Sequence, residues 1–172
     1  MKNFGNFNAI LLDQAQKLFD LALKSNVKIV SVESCTGGLI SALITEIAGS
    51  SQIFDRGFVV YSNLAKEQNL GVNAKTLNDF GAVSEEVAKE MAIGAVKNSN
   101  ANLSIAITGI AGPESDDTKK PVGLVYISSF NNLNQNLIVK KFNFSGNRFE
   151  IRILTVCKAI EILITQINIY NS

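Results

Sequence analysis

The sequence predicts a single α/β domain over residues 1–172, folded as a three-layer α/β/α sandwich around a mixed sheet. Segments with a helical spacing of apolar residues alternate along the chain with short β-branched runs, which is the pattern of an α/β fold. No linker, internal repeat or low-complexity stretch interrupts this alternation. A chain of 172 residues is long enough for one domain with a full core and too short for two ordinary domains.

The first half of the chain carries signals for three helices and two strands. Gly37 and Gly38 introduce the second helix, and Gly49 lies just beyond the point where it ends. In order, the predicted elements are a helix at 8–25, a strand at 28–32, a helix at 39–47, a strand at 58–61 and a helix at 63–70.

The second half begins and ends with a helix whose start is marked by a capping residue. Ser84 is a good N-cap, and Glu85 and Glu86 in the first turn complement the helix dipole. Asn147 with Glu150 three residues later forms a similar capping pair. The predicted elements are a helix at 85–98, strands at 103–108, 122–130 and 136–144, with a hairpin turn at 131–134, and a last helix at 148–166.

Composition excludes several classes of protein. The net charge of +1 lacks the basic excess of a general nucleic-acid binder, so we expect no nucleic-acid partner. No uninterrupted apolar run reaches the roughly 18 residues of a membrane span. The first six residues lack the charged and apolar regions of a signal peptide. We therefore expect a cytoplasmic protein without a membrane partner.

The absence of histidine restricts the chemistry that the chain can perform. A Ser-His-Asp or Cys-His mechanism and a histidine-ligated metal site are both excluded for this chain alone. The two cysteines, Cys35 and Cys157, are too few for a disulfide framework or a four-cysteine zinc site. No metal-ligand spacing stands out, and we expect neither a metal nor a cofactor. Proton transfer must then use Lys, Tyr, Asp, Glu or water.

Three strand ends are rich in polar residues, and ligands of open α/β sheets bind at such ends. The first end comprises Ser34, Cys35, Thr36, Gly37 and Gly38. Backbone N–H groups at this helix start could stabilise the oxyanion formed by attack of Ser34. Two alternatives remain open: Ser34 or Thr36 caps the helix while the glycines form a turn, or Cys35 is the nucleophile.

The second strand end places Tyr61 and Lys66 five positions apart across a strand-to-helix turn, where both could face one pocket. A lysine base requires its pKa to fall from about 10.4 toward about 7–8, which a partly enclosed site could achieve by desolvation. The alternative is a tyrosine at a strand end beside a solvated lysine.

The third strand end contains Thr108 and Gly109, which suit either a ligand wall or a plain loop. Arg148, at the predicted start of the last helix, could bind a phosphate or a carboxylate, although it could also be an exposed helix-start residue. Lys119, Lys120 and Arg152 offer further positive charge.

The acidic residues near these strand ends leave their roles open. Glu33 either orients a neighbouring cation or solvates the turn beside Ser34. Asp116 and Asp117 are expected to solvate a loop.

Taken together, these segments resemble the C-terminal domain of the competence/damage-inducible protein CinA, a family whose stand-alone members are nicotinamide-nucleotide amidases. The matching stretches occur in the order of the family and cover most of the chain. They are residues 32–38, 48–51, 54–66, 81–87, 108–113, 120–123 and 144–148.

The resemblance implies hydrolysis of nicotinamide mononucleotide to nicotinate mononucleotide and ammonia, a salvage step of pyridine-nucleotide metabolism. It also implies homodimers, with a pyridine nucleotide as the small-molecule partner. The nucleophile of the family maps onto Ser34, its tyrosine and lysine map onto Tyr61 and Lys66, and a threonine and an arginine map onto Thr108 and Arg148. Residues 35–38 and Gly109 complete the expected substrate-binding set. Whether Lys66 or Tyr61 is the base is not decided by the sequence.

The chain departs from the family pattern in two places. Residues 114–117, which are Glu, Ser, Asp and Asp, replace an expected glycine-rich continuation and could repel a phosphate. Nothing matches the N-terminal domain of larger members, so we do not expect the activity of that domain. Two further functions remain open: a non-catalytic module that acts through a partner in competence or DNA damage, and a nucleotide sensor that binds without hydrolysis.

Overall fold

The computed structural model describes residues 7–115 and 119–172, and these residues form five strands and six α-helices. The helices are α1 (Ala9–Lys24), α2 (Leu39–Thr45), α3 (Asn63–Leu70), α4 (Ala74–Phe80), α5 (Glu85–Lys97) and α6 (Arg148–Tyr170). The strands are β1 (Ile29–Glu33), β2 (Phe54–Val59), β3 (Leu103–Gly109), β4 (Leu124–Asn131) and β5 (Asn136–Asn143). The chain start considered for a signal peptide and the residues Asp116 and Asp117 lie outside the described residues.

The strands form one mixed sheet in the order β2-β1-β3-β4-β5. The three strands β2, β1 and β3 are parallel, whereas β4 is antiparallel to β3 and β5 is antiparallel to β4. The mixed sheet expected from the sequence is confirmed. Because β1 lies between β2 and β3, their carboxyl ends meet at one edge of the sheet.

Side-chain alternation along the strands divides the interior into two cores. Ile29 of β1 packs with residues of α1, α2 and α6 on one face of the sheet. Val30 and Val32 pack with residues of α3, α4 and α5 on the other face. The predicted α/β/α sandwich is therefore confirmed, with β1 buried along its whole length.

Capping residues begin the helices α5 and α6 at the places that the sequence indicates. The Ser84 hydroxyl accepts from the Val87 N–H at the start of α5. At the start of α6, the Asn147 side chain accepts from the Glu150 N–H, and the Glu150 carboxylate accepts from the Asn147 N–H. Both caps confirm the predicted starts of these helices.

The predicted elements differ from the structure mainly where apolar periodicity is weak. The helix α4 was not predicted, because Leu77 is its single buried residue and so leaves no helical pattern. The strand β2 begins four residues earlier than predicted, at Phe54, and ends before Tyr61. Its half-exposed edge position admits the polar pair Asp55 and Arg56, which hides the strand in the sequence.

The last helix, α6, is long and apolar enough to meet a length-and-composition criterion for a membrane span. Of its most apolar window of 18 residues, 44% are buried inside the protein. Ile151, Ile160 and Leu163 lie in the core beside α1 and α2. A long core helix meets the same criterion, so the hydropathy of α6 is accounted for by its packing in this fold.

A short chain of buried polar side chains runs beneath the edge of the sheet. The hydroxyls of Ser31 and Ser41 lie 2.8 Å apart, and the Ser41 hydroxyl donates to the Glu33 carboxylate at 2.9 Å. Gly57 of β2 passes directly over these hydroxyls. A Cβ atom at Gly57 would lie 2.2 Å from the Ser41 Oγ and 2.9 Å from the Ser31 Oγ, so the chain requires glycine there.

We expect Gly57→Ala to lower the free energy of unfolding by about 1–3 kcal/mol, because the added methyl overpacks this polar chain. In a Ser41→Ala background the same change should be less destabilising, because the closest oxygen is gone. Urea unfolding of the two single variants, the double variant and the parent measures this coupling. Additive effects would contradict the steric explanation.

Candidate active site

A pocket of about 260 Å³ opens at the carboxyl ends of the central parallel strands. Seven of the ten residues expected at the site line it: Ser34, Cys35, Tyr61, Lys66, Thr108, Gly109 and Arg148. The other three, Thr36, Gly37 and Gly38, do not line it. The three strand ends identified in the sequence therefore converge on one cavity.

Ser34 follows the last residue of β1 directly and is only 9% exposed. Its backbone N–H donates to the Ile107 carbonyl of β3 at 3.2 Å, which continues the pairing of Glu33 with Ile107. Ser34 and Thr108 are thus the next neighbours beyond the paired register of β1 and β3. Both residues line the pocket.

The Glu33 side chain is completely buried and accepts four hydrogen bonds at the start of α2. One carboxylate oxygen accepts from the Gly38 and Ile40 N–H groups at 2.9 and 3.1 Å. The other oxygen accepts from the N–H and the hydroxyl of Ser41, both at 2.9 Å. The role of Glu33 that the sequence left open is therefore to cap α2 with a negative charge.

This cap changes the expected use of the turn before α2. Gly38 donates to Glu33 and Gly37 donates to the Ser34 carbonyl, so neither N–H is available to an oxyanion. This corrects the expectation from the sequence for these two glycines. Positive φ angles of 60° and 94° show that they form the turn, as one alternative proposed, but neither Ser34 nor Thr36 caps the helix.

The N–H groups that remain in this turn lie just after Ser34. Within the described part of the chain, the N–H groups of Cys35 and Thr36 donate to no other residue. Cys35 also lines the pocket. An oxyanion on a group attached to Ser34 would therefore find a backbone donor at Cys35 rather than at the glycines.

Lys66 is buried in α3, with only 1% of its surface exposed. Its Nζ donates to the carbonyl oxygens of Val60 and Tyr61, both at 3.1 Å. In residues 7–115 and 119–172 no carboxylate forms an ion pair with it. The solvated lysine that the sequence left as an alternative is wrong.

Burial lowers the pKa of Lys66 because desolvation disfavours the ammonium, and the nearby Cys35 thiol opposes this effect. A neutral amine carries two N–H groups and one lone pair. Those two N–H groups match the two carbonyl acceptors at Val60 and Tyr61. The lone pair is then left for a third direction, as a general base requires.

Tyr61 contributes to the pocket in two different ways. Its side chain is 65% exposed at the pocket rim, whereas its carbonyl oxygen accepts a hydrogen bond from Lys66. The backbone of Tyr61 therefore contacts the amine directly, whereas the exposed residue as a whole lines the pocket.

Cys35 is poorly suited to be the nucleophile. Burial raises the pKa of its thiol to about 11, although the guanidinium groups of Arg148 and Arg152 act in the opposite direction. A thiol with this pKa is almost entirely protonated near neutral pH, and the thiolate is the reactive form. The electrostatics of the pocket therefore favour Ser34 over Cys35.

Arg148 is the first residue of α6, and its Nη1 donates to the Gly112 carbonyl at 2.6 Å. The N–H groups of Phe149 and Glu150 donate to the Asn147 side chain. These helix-start donors are thus already occupied, so the attraction of an anion here would come from the guanidinium of Arg148.

Arg152 and Lys120 act on the backbone around the pocket rather than lining it. The Nη2 of Arg152 donates to the Thr36 carbonyl at 2.7 Å, which ties α6 to the turn after Ser34. Lys120 donates to the carbonyls of Phe80 and Val83 at 2.8 and 2.7 Å. These two cations hold the walls of the pocket in place.

Several lining residues were not identified as site residues from the sequence. They are Ala82, Val83, Ile110, Ala111, Gly112, Glu114 and Ser115. Ala82 and Val83 lie in the matching stretch at 81–87, and the loop residues lie in or next to the stretch at 108–113. These two stretches were the sequence signal that could have identified them. In the described residues no group of three or more His, Cys, Asp or Glu side chains could hold a metal ion.

The chain matches the family described as the CinA C-terminal domain over residues 12–167. It is 47% identical over 125 residues to a protein of Enterobacter agglomerans named nicotinamide-nucleotide amidohydrolase PncC, which covers 73% of this chain and 76% of that protein. It is 48% identical over 161 residues to a CinA-like protein of Endomicrobium trichonymphae, covering 93% of this chain and 36% of that protein. The chain spans about a third of the length of the first curated relatives that it matches.

A solved structure with the same fold is the competence/damage inducible protein CihA from Agrobacterium tumefaciens. The TM-score is 0.91 and the sequence identity is 42%. The match covers 96% of this chain and 99% of the CihA chain.

We expect Glu33→Gln to lower the free energy of unfolding by about 3 kcal/mol, because the amide NH₂ would face N–H donors in place of a carboxylate oxygen. Ser31→Ala is the matched control, since it removes a buried hydroxyl from the same polar chain without changing the charge. Urea unfolding measures both variants. An equal or larger loss in Ser31→Ala would contradict the special importance of the carboxylate.

Proposed function

The chain belongs to the CinA C-terminal domain family, and on that basis we propose that it hydrolyses the carboxamide of nicotinamide mononucleotide, forming nicotinate mononucleotide and ammonia. The relative named as a nicotinamide-nucleotide amidohydrolase supports this activity at 47% identity. The observation that carries the proposal is that Ser34 shares its pocket with a buried lysine that has two carbonyl acceptors and no carboxylate among the described residues.

In the first step, Lys66 acts as a neutral general base. The Ser34 Oγ attacks the carboxamide carbon while its proton passes to the Lys66 Nζ. The lowered pKa of Lys66 favours the free amine that this step requires. Tyr61 contributes through its carbonyl, which orients the amine, so the geometry favours Lys66 over the Tyr61 phenol as the base.

The tetrahedral intermediate carries its negative charge on the former carbonyl oxygen. The N–H group of Cys35 is the donor proposed for this oxygen, and one well-placed donor contributes about 3 kcal/mol to lowering the barrier. The C–N bond then breaks, and the proton on Lys66 passes to the departing nitrogen to form ammonia. Water then attacks the carbon of the resulting Ser34 ester while Lys66 accepts the proton of the water. The Ser34 oxygen leaves and takes this proton back, which regenerates the enzyme.

Arg148 is the residue proposed to bind the phosphate of the nucleotide. Its guanidinium lines the pocket and is anchored by the Gly112 carbonyl. Glu114 also lines the pocket, so its carboxylate opposes the binding of an anion, as expected from the departure at 114–117. The cytoplasmic location, the homodimer and the role in pyridine-nucleotide salvage remain predictions.

We expect Ser34→Ala to reduce ammonia release from nicotinamide mononucleotide by at least about 10³-fold, because the nucleophile is lost. Ser115→Ala is the matched control, since it removes a serine hydroxyl from the same pocket. Thermal unfolding checks that both variants are folded. Retention of more than about a tenth of the activity in Ser34→Ala would remove Ser34 from this role, and loss confined to Cys35→Ala would indicate the thiol.

The activity should also depend on the protonation of Lys66. The kcat/KM should rise with pH as Lys66 loses its proton, with a midpoint below the usual lysine value of about 10.4. Lys66→Arg should abolish turnover, because a guanidinium does not release its proton. An activity that is independent of pH, or an active Lys66→Arg variant, would exclude Lys66 as the base.

The same lowered pKa affects stability in a defined direction. The unfolded chain binds a proton at the lysine more readily than the folded chain. The free energy of unfolding should therefore fall as the pH is lowered from the ordinary lysine pKa to the lowered pKa of Lys66. Lys66→Met should flatten this part of the curve of stability against pH, measured by urea unfolding at successive pH values. An unchanged curve would contradict a lowered pKa.

A further inference from the structure

We propose that Thr108 selects the carboxamide substrate over its carboxylate product, because the Thr108 hydroxyl can only accept a hydrogen bond from a ligand. This inference rests on the proposed function and concerns the same pocket. It assigns to Thr108 a role in specificity, because the single hydroxyl proton of Thr108 is already donated within the protein.

The Thr108 hydroxyl donates to the Ala82 carbonyl oxygen at 2.7 Å. A hydroxyl has one proton to donate and two lone pairs that accept. Thr108 is 1% exposed and lines the pocket, so the remaining lone pairs are what it offers to a bound molecule. A ligand group in contact with this oxygen must therefore be a donor.

The acceptor that takes the Thr108 proton is held in a fixed position. On one side of Ala82, the Ser84 hydroxyl donates to the Gly81 carbonyl at 2.9 Å. On the other side, the ammonium of Lys120 donates to the Val83 carbonyl at 2.7 Å. If Thr108 turned its proton toward a ligand, the Ala82 carbonyl would lose this donor at a partly buried position, which is unfavourable.

Thr108 also lies beside Ser34 at the end of the paired strands. Glu33 pairs with Ile107 in the parallel register and the Ser34 N–H donates to the Ile107 carbonyl, so Ser34 and Thr108 follow the last paired positions, and both line the pocket. The preceding residues with the same orientation, Val32 and Ala106, both belong to the core beneath α3, α4 and α5. The buried Lys66 lies in α3 on the same face of the sheet.

This polarity distinguishes an amide from an acid. The NH₂ of a carboxamide can donate to the Thr108 oxygen, and the departing ammonia retains N–H donors. The carboxylate of the product has no proton to donate and would place a negative oxygen against a lone pair. Thr108 thus favours binding of the substrate and disfavours the product once the nitrogen has left.

The test compares Thr108→Val, which keeps the shape but removes the hydroxyl, with Thr108→Ser, which keeps the hydroxyl. Both changes are made in a Ser34→Ala background so that no turnover occurs. Calorimetry measures the dissociation constants of nicotinamide mononucleotide and nicotinate mononucleotide. We expect the background protein to prefer the amide, Thr108→Ser to keep this preference, and Thr108→Val to reduce it about tenfold.

The ratio of the two dissociation constants distinguishes a loss of specificity from general damage to the pocket, because general damage weakens the binding of both ligands. A folded Thr108→Val variant with an unchanged ratio would overturn the proposal. If that variant does not fold, 3-acetylpyridine mononucleotide provides the same test in the background protein, since a methyl replaces the amino group. We expect it to bind about tenfold more weakly than the amide, and equal binding would overturn the role of Thr108.

The two hypotheses fail in distinguishable ways. Unmutated protein that binds the amide selectively but releases no ammonia would refute the hydrolase and leave the role of Thr108 standing. Protein that releases ammonia but shows no amide preference through Thr108 would refute only the role of Thr108. Absence of binding of every nucleotide would refute both.

Discussion

The buried carboxylate of Glu33 is the constraint on which the geometry of the site depends. Four hydrogen bonds join it to the residues at the start of α2. Glu33 directly precedes Ser34 in the sequence. A buried charge is tolerated only when it is satisfied in this way. The carboxylate therefore fixes where β1 ends, where α2 begins and how the intervening turn is shaped. Gly57 must be small because this polar chain lies directly beneath it.

Lys66 is also a buried ionisable group, but its surroundings do not neutralise its charge. Glu33 receives donors that stabilise its charge, whereas the amine of Lys66 receives two carbonyl acceptors and no carboxylate among the residues described. The two groups approach the turn from opposite faces of the sheet. On one face the buried charge is satisfied by hydrogen bonds, and on the other the lowered pKa of Lys66 favours the free amine. The proposed mechanism uses this amine as its base, in a chain without histidine.

Local patterns predicted the layers, the caps of α5 and α6, and the strand ends that form the pocket. They did not predict α4, whose single buried residue, Leu77, leaves no periodicity. They also did not show that the N–H groups of Gly37 and Gly38 are already used, one by the Glu33 carboxylate and the other by the Ser34 carbonyl. The contact of Arg152 with Thr36 joins residues 116 positions apart, and no local spacing encodes such a contact.

That long-range contact has a consequence for the order of assembly during protein synthesis. The turn after Ser34 is made early, together with β1, but the guanidinium that holds the Thr36 carbonyl belongs to α6 near the end of the chain. Arg148, the residue that anchors Gly112, belongs to the same helix. A nascent chain can therefore pair its central strands on the ribosome while its cavity still lacks one wall. The site is completed only when the final helix has been translated and has packed into place.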